Sequence, residues 1–272
     1  MRTTTTFKTG YAPVNGLNIY YEIHGAGEPL VLLHGGVGST ESFSEIMPSL
    51  SNSRQVIAVD LQAHGRSADI NRPLSYEAMA DDIAALMKYL GINKADVMGY
   101  SLGGGVALRT AIQHPDLVKK LVVVSAPCKH DGWYPEIHAA MAQSGPKQAE
   151  QMMQNPLYQT YERIAPRPEE WPVLFTKLGE LLKKDYDWSR DVTAIKSYTL
   201  LVFGDADAVR PEHAVQFFEL LGGGKRDAGW DGSGMSNARL AILPGVTHYN
   251  ILSSPVLAIT ITSFLDTSTP GH

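Results

Sequence analysis

The chain has 272 residues, enough to bury a large core as one α/β unit with an insertion. Its 44% hydrophobic content is ordinary for a globular protein, and a net charge of −5 argues against a basic face for nucleic acid. The lone Cys128 excludes an internal disulfide and, with no run of about 18 apolar residues and no apolar signal core in Met1–Thr6, sets the expectation of a cytoplasmic protein.

In chain order, residues 8–24 read as two strands around the hairpin turn Asn15-Gly16. Leu30–Leu33 and Val56–Asp60 are apolar runs of the buried-strand type. Tyr76–Leu90 spaces Met79, Ile83, Leu86, Met87 and Leu90 along one helical face. Ala95–Met98 is a further short strand, followed by a helix that opens with Gly104-Gly105-Val106-Ala107. Leu121–Ser125, Leu200–Gly204 and Leu240–Leu243 complete a set of eight strands, and His213–Leu221 and Pro255–Leu265 read as covering helices. The alternation breaks at 128–192, which has no strong strand run and is rich in Met, Trp, Tyr and Pro. It reads as a helical cap inserted into a core made of 1–127 and 193–272. A Gly-rich stretch, 222–234, reads as a solvated loop.

Between the strand Ala95–Met98 and the helix that opens with Gly104 stands Gly99-Tyr100-Ser101-Leu102-Gly103. A G-x-S-x-G sequence in a strand–turn–helix setting is a nucleophile elbow: the turn forces the serine into a strained conformation, so its flanking positions must be small. Serine is a weak nucleophile near neutral pH and needs a base, which in turn needs an orienting acid. If the partners follow in the order Ser, acid, His, the nine histidines reduce to few candidates. His272 is terminal, and His213 follows the acid loop too closely to reach across a site. His248, just past the run Leu240–Leu243, remains. Asp205 and Asp207 both follow the strand Leu200–Gly204, and spacing alone does not choose between them.

With these segments in view, the chain resembles the α/β-hydrolases over nearly its full length. His34-Gly35-Gly36 resembles their oxyanion loop. Asp60–Ser67 resembles their D-x-x-G-x-G-x-S segment, with Ala63 in place of the first glycine and His64 between the two. Gly204–Asp207 resembles their G-x-x-D acid turn, and Gly245–His248 their G-x-x-H turn. The resemblance implies a mostly parallel eight-stranded sheet flanked by helices, with an inserted helical cap. It also implies a Ser101–His248–Asp207 triad, with Asp207 favoured over Asp205. The oxyanion hole would be formed by the amides of Gly36 and Leu102, with Val37 as the fallback. Val37, Tyr100, Trp133 and Met153 are the expected substrate contacts, and Tyr134, Met141, Met152, Tyr158 and Trp171 are further candidates facing the mouth of the cap.

The expected activity is hydrolysis of small carboxylic esters or lactones, acyl-homoserine lactones included, with no metal and no cofactor. The H-x-H-x-D-H pattern of metal-dependent lactonases is absent, and the histidines show no clustered ligand spacing. Perhydrolases, haloperoxidases and C–C hydrolases use the same constellation and stay open, as does a small-molecule receptor with a retained triad. Epoxide hydrolases and dehalogenases carry an aspartate where Ser101 stands.

Overall fold

The computed structural model describes residues 7–267; Met1–Thr6 and His272 lie outside the described residues. The strands are β1 (Lys8–Val14), β2 (Leu17–His24), β3 (Glu28–Leu33), β4 (Arg54–Asp60), β5 (Ala95–Tyr100), β6 (Val118–Val124), β7 (Tyr198–Ala206) and β8 (Ala238–Thr247). They form one sheet in the order β1-β2-β4-β3-β5-β6-β7-β8. β1–β2 and β2–β4 pair antiparallel and all other neighbours pair in parallel, as in an α/β-hydrolase sheet.

The side-chain period of two sorts each strand onto two faces. Val31, Leu33 and Val97 join one core layer, while Leu30, Leu32 and Met98 join the other. The helices α2 (Tyr76–Tyr89), α3 (Leu102–Gln113) and α9 (Pro211–Leu220) cover the first face. α1 (Met47–Ser51) and α10 (Pro255–Asp266) cover the second. The helix α2 starts where Ser75 accepts a hydrogen bond from the amide of Ala78, satisfying one of the first-turn donors. Of its apolar stripe, Met79, Ile83, Leu86 and Met87 are buried as the spacing predicts, while Leu90 caps the C-terminus of the helix and is half-buried.

Between β6 and β7 the chain forms only helical structure, apart from single bridges Lys129–Asp187 and Trp133–Val209. Its helices are α4 (Pro135–Ala142), α5 (Pro146–Gln151), α6 (Pro156–Ile164), α7 (Trp171–Leu182) and α8 (Ser189–Val192). Trp171 is buried here, donating from its indole to the Ala149 carbonyl and packing against Tyr158, Tyr161 and Phe175. The inserted segment is tied to the rest by Arg163–Glu41, by Lys177–Asp69 at 2.5 Å and by Arg167 donating to the Asp69 carbonyl.

Two strands run longer than their apolar cores suggest. β8 continues through Pro244-Gly245 to Thr247, with Gly245 at φ +69° and a shift of register against β7 between Gly204 and Ala206. Ala63, where the family pattern has glycine, stands at φ +66°, which accounts for the preference for glycine there. The 222–234 stretch is made of turns and bends.

Candidate active site

Ser101 sits between β5 and α3 with φ 53° and ψ −117°, a conformation that costs of order 1–3 kcal/mol and persists only where its surroundings enforce it. Two hydrogen bonds pin it: its amide donates to the Val124 carbonyl at 2.9 Å, and its carbonyl accepts from the Gly105 amide at 3.1 Å. The flanking glycines are required by contact. A Cβ on Gly99 would overlap the Gly103 carbonyl, and a Cβ on Gly103 would overlap the Leu33 carbonyl of β3. The sharp turn therefore lifts Ser101 Oγ above the C-terminal edge of the sheet.

His248, just beyond β8, places Nε2 3.1 Å from Ser101 Oγ. Its Nδ1 lies 2.9 Å from Asp207 Oδ1. An ionised Asp207 accepts a hydrogen bond from the Nδ1–H, which leaves Nε2 as an acceptor facing the serine hydroxyl. Asp207 is buried, and burial pushes its carboxyl up. The hydrogen bond and charge of His248, the Ser125 hydroxyl at 2.5 Å and the Gly204 amide at 3.0 Å outweigh that effect and hold it below the usual aspartate value. Asp205 does not reach the histidine. It is exposed and accepts the Val246 amide at 3.2 Å, a brace between the ends of β7 and β8.

Gly36, Val37, Ser101, Leu102, Trp133, Met141 and His248 all line one cavity of about 230 Å³. The amide of Leu102 is the first of α3, where no intrahelical acceptor exists. A Cβ on Gly36 would meet only Leu178, at 3.9 Å, so its backbone lies open to the cavity. Trp133 is buried with its ring edge-on to His248 at 5.6 Å. Phe175, Leu178 and Leu182 of α7 supply much of the apolar wall. In the sequence their spacing reads equally well as core.

Two expected contacts fall elsewhere. Met153 lies on a 3-10 turn, 44% exposed and off the cavity wall, because that short turn points it at solvent. Tyr100 is off the wall too: its ring packs under Gly35 and its hydroxyl donates to the His248 carbonyl at 2.7 Å, so it holds the histidine loop. Tyr134, Met152, Tyr158 and Trp171 also lie off the wall. Ser125 is the polar partner that sequence reading missed; its place at the end of an apolar run is its only sequence signal, and in the structure it stands just past β6 at φ 52°. His213 is buried against Cys128, its Nε2 accepting the Cys128 amide at 3.1 Å. Burial pushes the Cys128 thiol up to about 12, so it is not a reactive thiol. Among the described residues no three His, Cys, Asp or Glu side chains cluster as a metal site.

An open parallel sheet with a strained serine, a histidine and an aspartate at the C-terminal ends of its strands defines a class, the serine-elbow α/β proteins. The chain belongs to the alpha/beta hydrolase fold family, whose model matches residues 28–217. It is 39% identical over 115 residues to the sn-1-specific diacylglycerol lipase ABHD11 of Danio rerio, covering 42% of this chain and 36% of that protein. It is 36% identical over 113 residues to the soluble epoxide hydrolase of a Corynebacterium species, covering 42% and 40%. The chain thus aligns with well under half the length of these relatives. Among solved structures, E-2-(acetamidomethylene)succinate hydrolase superposes with a TM-score of 0.75 at 20% identity, covering 96% of this chain and all of that one; at that identity the likeness is one of fold.

Proposed function

We propose that the protein is a serine hydrolase that cleaves small carboxylic esters or lactones through an acyl-enzyme. The observation that carries this reading is the relay from Ser101 Oγ to His248 Nε2, 3.1 Å, and from His248 Nδ1 to Asp207 Oδ1, 2.9 Å, at the wall of an apolar cavity. Ser101 Oγ attacks the carbonyl carbon as its proton passes to His248 Nε2. The amides of Gly36 and Leu102 hold the resulting oxyanion. Collapse breaks the C–O bond, and His248 returns the proton to the leaving oxygen. Water, deprotonated by His248, then attacks the acyl-serine and releases the acid. Asp207 keeps the imidazole in the required tautomer and stabilises the imidazolium throughout.

The likeness to a lipase supports carbonyl chemistry. The likeness to an epoxide hydrolase is one of scaffold, because serine stands at the elbow here. A serine that opened an epoxide would form an ether, which water does not release. An alkyl fluorophosphonate should label Ser101 alone, and Ser101→Ala should lose both the label and turnover of p-nitrophenyl acetate. Labelling at another serine, or turnover that survives in the alanine variant, would sink the assignment.

A further inference from the structure

A second cavity of about 200 Å³ opens between the Val37–Ser42 loop and α6. Val37 lines both this groove and the catalytic cavity, whereas His248 and Tyr249 line only the latter. Val37 stands at φ +56°, a backbone conformation that a β-branched side chain rarely adopts. The strained turn, closed by the Gly38 amide on the Gly35 carbonyl at 3.1 Å, sets the valine on the boundary between the two spaces. Each space alone is smaller than the roughly 300–1,000 Å³ typical of small-molecule sites, and together they fall inside that range.

The groove differs in chemistry from the apolar catalytic cavity. Leu157 and Ile164 of α6 form one wall, and Ser39, Ser42 and Thr160 bring hydroxyls to the rest. The Ser39 hydroxyl accepts the Glu41 amide and the Ser42 hydroxyl accepts the Ser39 amide, both at 3.3 Å. Neither hydroxyl proton has an acceptor among the described residues, so each is available to a ligand oxygen. Glu41 is engaged by Arg66 at 3.0 Å and by Arg163 at 2.5 Å, so no unpaired cation is offered to an anionic chain.

We propose that this groove is a second substrate pocket, entered past Val37, that takes the distal part of an elongated acyl chain carrying uncharged oxygens. The side follows from the chemistry proposed above, on which the inference rests. His248 must protonate the leaving oxygen, so the leaving group stays on the histidine side of Ser101. The acyl arm then points the other way, across Val37. The hydroxyl-lined wall selects ether, hydroxyl or carbonyl oxygens along that arm over a purely alkyl one.

The test compares p-nitrophenyl acetate, p-nitrophenyl octanoate and p-nitrophenyl 3,6-dioxaoctanoate in the native protein and in variants. Leu157→Trp and Thr160→Trp fill the groove from α6, where Leu157 is exposed enough to accept the larger ring. Each should lower the ratio of kcat/KM for dioxaoctanoate over acetate at least tenfold, and by more than the octanoate ratio. Val37→Gly relieves the strained backbone and widens the passage, so it should raise the same ratio. Ratios that stay put, or that move the same way in filling and opening variants, overturn the pocket. Equal loss of octanoate and dioxaoctanoate overturns its preference for oxygen. Failure of the native protein to cleave any of the three esters is a separate result, which refutes the ester-hydrolase reading itself.

Discussion

Asp207 and Asp205 stand two residues apart and do different work. One meets His248 in a buried pocket of donors; the other braces two strand ends from the surface. Asp207→Asn removes the charge that fixes the histidine tautomer, and kcat for p-nitrophenyl acetate should fall by about 10⁴. Asp205→Asn should cost less than tenfold. Reversal of that order would reassign the acid. Ser125 gives the carboxylate its short second partner. Ser125→Ala leaves a buried charge short of one donor, and the denaturant midpoint should drop by an amount worth about 1–3 kcal/mol. An unchanged midpoint would mean that the Gly204 and Val209 amides satisfy Asp207 by themselves.

The β5–α3 junction depends on close backbone approach at the scale of whole elements. The first turn of α3 rests on the end of β3, and the space between Gly103 and the Leu33 carbonyl does not admit a methyl group. Gly103→Ala must therefore push helix and strand apart. A loss of stability of about 3 kcal/mol or more is expected, read from urea unfolding, with activity falling in step. A stable Gly103→Ala protein would show that the junction has slack that the contacts deny. The loop after β3 is held in its turn by a neighbouring element: His34 Nε2 accepts the Leu61 amide at 3.1 Å, linking it to the loop after β4. Asp60 reinforces the link by accepting the amides of Thr40 and Arg66 at 2.6 and 2.7 Å.

Acid should destabilise the whole molecule through its buried histidines. His34, His64 and His213 are buried, and burial holds them down to about 3, 4 and 4. In the unfolded chain the same imidazoles take up protons near pH 6.5. Between about pH 6.5 and 4 the unfolded state therefore binds more protons, so stability is full above 6.5 and falls as pH drops through that window. Asp60 and Asp96 oppose the trend, because burial raises their carboxyls, that of Asp60 to about 6, but His138, also lowered by burial, joins the other three imidazoles and makes four groups against two. Urea midpoints measured from pH 7.5 to pH 4.5 should fall steadily. A flat profile would show that these histidines are protonated in the folded protein.

Much of this molecule is legible in its sequence because the signals are local. Alternating and unbroken apolar runs mark the strands, a 3.6-residue stripe marks α2, and Asn15-Gly16 marks the hairpin, each decided by neighbours along the chain. The elbow is legible for the same reason, since its glycines answer to a turn five residues long. The extents of β7 and β8 were less so, because pairing with a neighbour carries each strand past its apolar core. The choice between Asp207 and Asp205 depends on which carboxylate meets a histidine 41 residues away, a contact that spacing cannot express. The same holds for the pocket wall. Trp133 and Met153 read alike as large apolar residues of an inserted helical segment, and only packing turns one toward His248 and the other toward solvent. Tertiary structure alone put Ser125 behind Asp207, Tyr100 under the histidine loop and Val37 between two cavities, because each position is set by where separate strands end.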